Sequence, residues 1–278
     1  MTILTFTALV ALGSLLAGFL GSLTGLGGGV VIVPLLALVF KVDLRYAIGA
    51  SLVSVIATSS GAAAAYVKEG FSNIRIGMFL EVATTFGALA GAMLAAHVPA
   101  SAIAVVFGLF LLFSAWLSSR PRPEDIEDDR PAPLALLLRL DSTYPSLQGL
   151  KSYRVHGVVP GFSLMFVAGI LSGLLGIGSG ALKVLAMDQI MRIPFKVSTT
   201  TSNFMIGVTA AASAGIYLSR GQIEPGMAMP VMLGVLTGSL LGARVLVVAR
   251  TRVLRIVFGL VIVAMAVQMI YKGVTGGL

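Results

Sequence analysis

The chain has 278 residues, of which 57% are hydrophobic and only 11% charged, and its mean hydropathy is +1.01. That leaves too little polar surface for a water-soluble globule, so an integral membrane protein is expected. The formal net charge of +8 follows from the Lys and Arg that set membrane topology and implies no nucleic-acid partner; the absence of cysteine excludes disulfide, thiolate and iron-sulfur chemistry.

Ten apolar elements follow one another, most about the 20 residues that a spanning helix needs, which predicts an all-α bundle rather than a barrel. The first, 3–24, lacks a basic leader and runs into a glycine cluster instead of a small-residue cleavage site, so it reads as a retained helix. Then come 28–40, 46–67, 74–97 and 100–119, followed after a break by 156–175, 180–191, 197–219, 225–248 and 253–271. Two of them, 28–40 and 180–191, are too short to span. The break holds most of the acidic residues and many prolines. It is expected to be a solvent-exposed linker with a small hairpin or interfacial turn around Leu134 to Leu140.

Sliding the chain by 151 residues aligns 17–117 with 168–268 without a gap and leaves 23 identities, so the halves are duplicates. AGFLGSLTGLGGG becomes AGILSGLLGIGSG, Ser51 falls on Ser202, and Tyr66 and Gly70 fall on Tyr217 and Gly221. The division is a first repeat, 1–119, a linker, 120–154, and a second repeat, 155–278. The linker carries Arg120, Arg122, Arg130, Arg139, Lys151 and Arg154, which predicts that it is cytoplasmic. The turn HVPA at 97–100 has no Lys or Arg, whereas its counterpart carries Arg250, Arg252 and Arg255. Equivalent loops thus face opposite sides, which predicts an inverted-topology repeat of about five elements per half with both termini outside the cytoplasm. Lys41 and Arg45 run against this orientation.

Gly25, Gly27 and Gly29 do not form a nucleotide loop, because the third glycine of G-x-G-x-x-G is missing and no G-K-[ST] follows. Gly87 with Gly91, and Gly238 with Gly242, sit mid-helix and read as close helix packing. The clusters Gly25, Gly27, Gly28, Gly29 and Gly176, Gly178, Ser179, Gly180 differ. Each follows a full helix and precedes a short element, the pattern of re-entrant broken helices meeting near the bilayer midplane. Helix N-termini there direct free N–H groups at the break and suit an anion; making a turn is the alternative.

Lys183, one turn into the second short element, is a functional candidate by its cost in a membrane, against snorkelling or pairing with Asp188. Ser51, Ser202 and Asn203 are candidates to line the cavity, against capping and interhelical bonding. Glu81 is a candidate proton carrier for coupling, against a carboxyl simply bonded to Ser or Thr. Trp116 and Tyr271 look like interfacial anchors. His97 and His156 have no metal-ligand spacing, so no metal, cofactor or catalytic residue is expected.

The paired motifs GSLTGLGGGVVIVPLL and SGLLGIGSGALKVLAM, with TTTSNFMIGVTAAASAGIYLSRGQI and GVLTGSLLGAR, resemble the TauE/SafE family of sulfite and sulfonate exporters. The resemblance covers nearly the whole chain and implies a multi-pass permease of the bacterial cytoplasmic membrane, not an enzyme, moving small sulfur-containing anions such as sulfite or organosulfonates. An anion channel on the same scaffold, or a membrane subunit that assembles another enzyme, is the alternative. VLAM at 184–187 departs from the family in lacking a proline after the Lys-Val pair, which bears on the shape of the second short element.

Overall fold

The computed structural model describes residues 3–24, 29–68, 72–119, 132–146, 149–246 and 251–276. It is helical, with one small hairpin. The first half contains α1 (Ile3–Thr24), α2 (Gly29–Pro34) continued by a π-helical turn (Leu35–Val39), α3 (Leu44–Lys68), α4 (Ile74–Leu94) and α5 (Ala100–Ser119). After a short α6 (Pro133–Leu137) and the antiparallel strands β1 (Ser142–Ser146) and β2 (Gly149–Tyr153), the second half repeats the series. It comprises α7 (Val158–Leu175), α8 (Gly180–Leu185) with a π-helical turn (Ala186–Ile190), α9 (Phe195–Ser219), α10 (Pro225–Leu246) and α11 (Thr251–Thr275).

The two short elements are as brief as the sequence requires, and they match in detail. Each is six α-helical residues followed by five π-helical ones, 151 positions apart. Each closes on a left-handed basic residue, Lys41 at φ 54° and Arg192 at φ 55°. Beyond that residue the N–H of Val42 donates to Leu36 O at 3.0 Å, and that of Ile193 to Met187 O at 2.9 Å. The missing proline at 184–187 therefore leaves the shape of the second short element unchanged.

Packing crosses between the halves. α1 lies on α10 and α7 on α4, while α3 pairs with α9 and α5 with α11. Gly49 abuts Gln222 and Gly207 abuts Ser59, so α3 and α9 run antiparallel; Gly108 against Ala266 and Gly273 against Ser101 give the same sense for α5 and α11. Gly234 meets Ala11 and Gly238 meets Leu15, while Gly169 meets Thr84 and Gly173 meets Ala88, so these two pairs run parallel. The packing expected at the mid-helix glycines is seen. A Cβ on Gly87 would lie 2.2 Å from Phe166 O, on Gly91 2.1 Å from Ile170 O, and on Gly238 2.0 Å from Leu15 O. The side-chain position of Gly242 falls outside the described residues.

The outward faces are apolar. Met78, Val82, Phe86 and Met93 are exposed at helical spacing on α4, as are Leu260, Val263 and Val267 on α11, while the buried polar side chains gather on α3 and α9. An apolar exterior around a partly polar interior suits a bundle solvated by lipid. Among the described residues, α4 and α7 are long and apolar enough to cross a bilayer, with mean hydropathies of 1.5 and 2.1. Trp116 and Tyr271 are both exposed.

The central segment is not the wholly solvent-exposed linker the sequence suggests. Ala135 and Leu140 are buried in a cluster with Ile76, Val158, Met191 and Val197. Polar groups fasten it further: Asn73 donates through Nδ2 to the Tyr153 hydroxyl at 2.7 Å and to Leu140 O at 3.3 Å, and Arg75 donates to Arg139 O at 2.6 Å. Ala135, Leu138 and Leu140 thus cover the ends of α4, α7 and α9, while Leu134, Leu136 and Leu137 face outward.

Candidate functional site

Both glycine breaks converge on α3. Gly29 packs so closely there that a Cβ would lie 2.7 Å from Val55 Cγ2 and 2.9 Å from Ser51 Oγ, with Gly176 O only 3.4 Å away. Ser51 Oγ donates to Gly176 O at 2.8 Å and lies 3.5 Å from Gly29 O, so one hydroxyl ties the two breaks together. Its repeat mate does the equivalent on the other side, Ser202 Oγ donating to Gly180 O at 3.4 Å. Ser51 and Ser202 therefore use their protons to pin backbone carbonyls in this arrangement.

The second break is a run of left-handed residues. Gly176 has φ 69°, Gly178 φ 72° and Ser179 φ 46°, so the chain turns sharply out of α7 and enters α8 with no side-chain cap. At Gly178 a side chain is excluded twice over, by its φ and because a Cβ would lie 2.7 Å from Ile206 Cγ2. Ser179 Oγ is buried without a hydrogen-bond partner among the described residues. Gly25, Gly27 and Gly28 lie outside the described residues.

Lys183 stands beside this turn. Ser202 faces Gly180 and Ile206 faces Gly178, so α9 runs antiparallel to α8 and its residue Thr209 lies past the start of α8. Helical side chains tilt toward the N-terminus, and the Lys183 stem follows that direction back to the level of the break. Its ammonium is fully buried and donates to Thr209 Oγ1. Thr209 donates in turn to Glu81 Oε1 at 2.6 Å, and Thr85 donates to the same oxygen at 3.3 Å. Glu81 Oε2 lies 3.8 Å from Lys183 Nζ and has no hydrogen bond among the described residues. The lysine's acidic partner is therefore Glu81, from the other half of the chain, rather than the nearby Asp188 of the sequence alternative.

The sequence candidates thus fall into three groups. Gly29, Ser51, Gly176, Gly178, Ser179, Gly180 and Ser202 meet at the breaks. Lys183 and Glu81, separate candidates in the sequence, form one buried cluster with Thr209. Asn203 is half-buried and, one residue past Ser202, sits about 100° round the helix from it, away from the face bearing Ser202 and Thr209. Thr209 was missed; its signal is its place in the repeat, where it matches Thr58, and its position seven residues beyond Ser202 on one helical face.

The sequence profile described as Sulfite exporter TauE/SafE matches residues 10–269. The chain belongs to the TauE/SafE family. This TauE/SafE chain is 30% identical over 290 residues to "Probable membrane transporter protein YunE" of Bacillus subtilis, an alignment covering 98% of this chain and 99% of that protein. It is 25% identical to "Probable membrane transporter protein YdhB" of the same organism, over 85% and 89% of the two chains. It is 23% identical to "Probable membrane transporter protein MJ0441" of Methanocaldococcus jannaschii, over 83% and 82%. No solved structure matches the chain. Family and relatives agree on a membrane transporter.

Proposed function

We propose that this TauE/SafE protein is a secondary transporter of small sulfur-containing anions, such as sulfite or organosulfonates, across the cytoplasmic membrane. The observation that carries this reading is the fully buried Lys183 ammonium beside the Gly176–Gly180 turn, where two interrupted helices meet. A charge in that position is costly in a bilayer and earns its place by meeting an opposite charge. Backbone N–H groups at the start of α8, and the Ser179 hydroxyl, unpartnered among the described residues, add donors suited to a tetrahedral or pyramidal oxyanion. Ser51 holds the two breaks in register, and Ser202 fastens the second to α9.

The halves are read as inverted repeats, 1–119 and 155–278, about a cytoplasmic linker at 120–154. Support comes from the antiparallel crossings of α3 with α9 and α5 with α11, together with the parallel pairs α1–α10 and α7–α4. Equivalent helices that run antiparallel are related by an axis across the helices, as in carriers that alternate access by rocking one repeat against the other. Both termini then lie outside the cytoplasm.

Counterflow tests the reading. Proteoliposomes preloaded with unlabelled sulfite, thiosulfate, isethionate or methanesulfonate should transiently accumulate the labelled form of the anion carried. Simple equilibration without overshoot would instead indicate a channel, and absence of flux for every sulfur anion would remove the substrate class.

A further inference from the structure

Glu81 and Lys183 cancel one another's charge in the arrangement described, so an incoming anion finds a carboxylate already at the lysine. Resting on the transporter reading above, we propose that Glu81 is an internal stand-in for the substrate. The anion displaces it from Lys183, Glu81 takes up one proton as it is displaced, and each monoanion therefore crosses together with one proton.

The charges decide the matter. Lys183 is fully buried and Glu81 nearly so, and an uncompensated charge at such a place costs several kcal/mol. Adding a monoanion to an ionised pair leaves one net negative charge and two anionic groups competing for a single ammonium. Protonating the carboxyl restores neutrality, leaving ammonium, anion and neutral acid.

The structure provides a place for that proton. Oε1 already accepts from Thr209 and Thr85, whereas the buried Oε2 accepts no hydrogen bond among the described residues. Thr209 has somewhere else to donate, because its Oγ1 also lies 2.9 Å from Met205 O. Release on the far side reverses the step: the anion leaves, Glu81 loses its proton to that side, and the carboxylate returns to Lys183. Nothing is oxidised or reduced, and the net charge moved for a monoanion is zero.

Among the described residues, no other ionisable side chain is paired with Glu81. α7 carries none. On α9, Lys196 lies near the start and Tyr217 near the end, where its hydroxyl donates to Gly173 O, and Arg220, just past the helix, donates to Ala92 O. On α4 itself Arg75 is engaged with Arg139 O, and Asp188 sits on the π-helical turn that continues α8. The repeat adds an independent indication. The positions equivalent to Glu81 and Lys183 hold Met232 and Ile32, so the scaffold accommodates apolar residues there and does not require an ion pair to form.

Purified wild-type protein and Glu81→Gln, each in proteoliposomes with an internal pH dye, decide the point. The probes are isethionate and methanesulfonate, monoanions whose charge is fixed across the working range. The wild type should carry one proton per anion, ignore an imposed membrane potential, and reach about tenfold accumulation for a pH difference of one unit. Glu81→Gln should lose the pH-driven accumulation, and its residual uptake should follow the potential instead, a change of driving force that misfolding cannot imitate. Wild-type uptake that follows the potential without proton movement overturns the inference while leaving a transporter. A Glu81→Gln protein that still accumulates anion on a pH gradient overturns it likewise. Absence of counterflow by the wild type for every sulfur anion overturns the transporter reading, and this inference with it.

Discussion

At the scale of single residues, the proposed transport chemistry rests on Lys183 and Glu81, whose buried charges depend on each other. Removing the ammonium alone leaves Glu81 buried against Thr209 and Thr85 with no positive charge beside it. Breaking such a pair typically costs about 3–5 kcal/mol, whereas replacing both members by neutral groups is close to neutral. Lys183→Met should therefore lower the thermal transition in detergent and abolish anion counterflow. Lys183→Met combined with Glu81→Gln should recover most of the stability but none of the counterflow, and recovery of transport in the double variant would exclude Lys183 from the site. Sequence alone marked both residues by their cost in a membrane but left each as an isolated candidate, because their pairing joins α4 to α8 across more than 100 residues. Periodicity within one helix carries no trace of such a contact.

Tyr153 latches the central hairpin to the start of α4 through Asn73. The Tyr153 phenol is held above its ordinary value of 10.0 chiefly by burial, with the Asn73 and Ser142 hydrogen bonds opposing and Asp141 adding to the rise. A phenol raised in this way binds its proton more tightly when the hairpin is docked. The latch is thus at full strength below pH about 10, where the free phenol titrates, and weakens as pH climbs toward the docked value. Limited proteolysis of the 142–153 hairpin should accelerate above that pH in the wild type, and Tyr153→Phe should remove the alkaline step.

At the scale of elements, close backbone approach is what fixes the bundle. α4 and α7 touch through Gly87, Gly91, Gly169 and Gly173, each with a carbonyl of the facing helix within 2.2 Å of where a Cβ would stand. Gly87→Val must separate these helices and should prevent recovery of a monodisperse protein. Gly215, exposed on α9, has nothing within 4 Å of its Cβ position. Gly215→Ala should leave yield intact and raise the thermal transition slightly, by up to about 1 kcal/mol of helix propensity; similar behaviour of the two variants in size-exclusion chromatography would contradict this packing.

The elements were the most legible part of the sequence. Short runs bounded by glycine clusters at 28–40 and 180–191 come out as 29–39 and 180–190, because length and hydropathy fix a helix once lipid removes the alternatives. The π-helical halves of those elements were not legible, since the change from four- to five-residue bonding leaves the apolar pattern intact. Nor was the docking of the central segment: the sequence marks a turn around Leu134 to Leu140, but the burial of Ala135 and Leu140 depends on contacts with α4, α7 and α9 that lie far along the chain.

At the scale of the whole molecule, the halves are interlocked rather than juxtaposed, since α1 rests on α10 and α4 on α7. Neither half contains the whole buried cluster, because Glu81 comes from the first and Lys183 and Thr209 from the second. Orientation is testable without background, as the chain has no cysteine. A cysteine introduced at Leu150, exposed on the hairpin, should react with an impermeant maleimide in inverted vesicles and not in intact spheroplasts, while one at Val274, exposed near the end of α11, should show the opposite pattern. Labelling of Leu150→Cys from outside would reverse the proposed topology.

The duplicated scaffold carries a chemistry that is not duplicated. Ser51 and Ser202 mirror one another, Thr58 stands where Thr209 does, yet Ile32 and Met232 occupy the mirror positions of Lys183 and Glu81. On the proposed mechanism the one Lys183–Glu81 pair makes one anion seat per protomer. Initial rates should accordingly follow a simple hyperbola in anion concentration, with a Hill coefficient of about one and one labelled molecule retained per protomer.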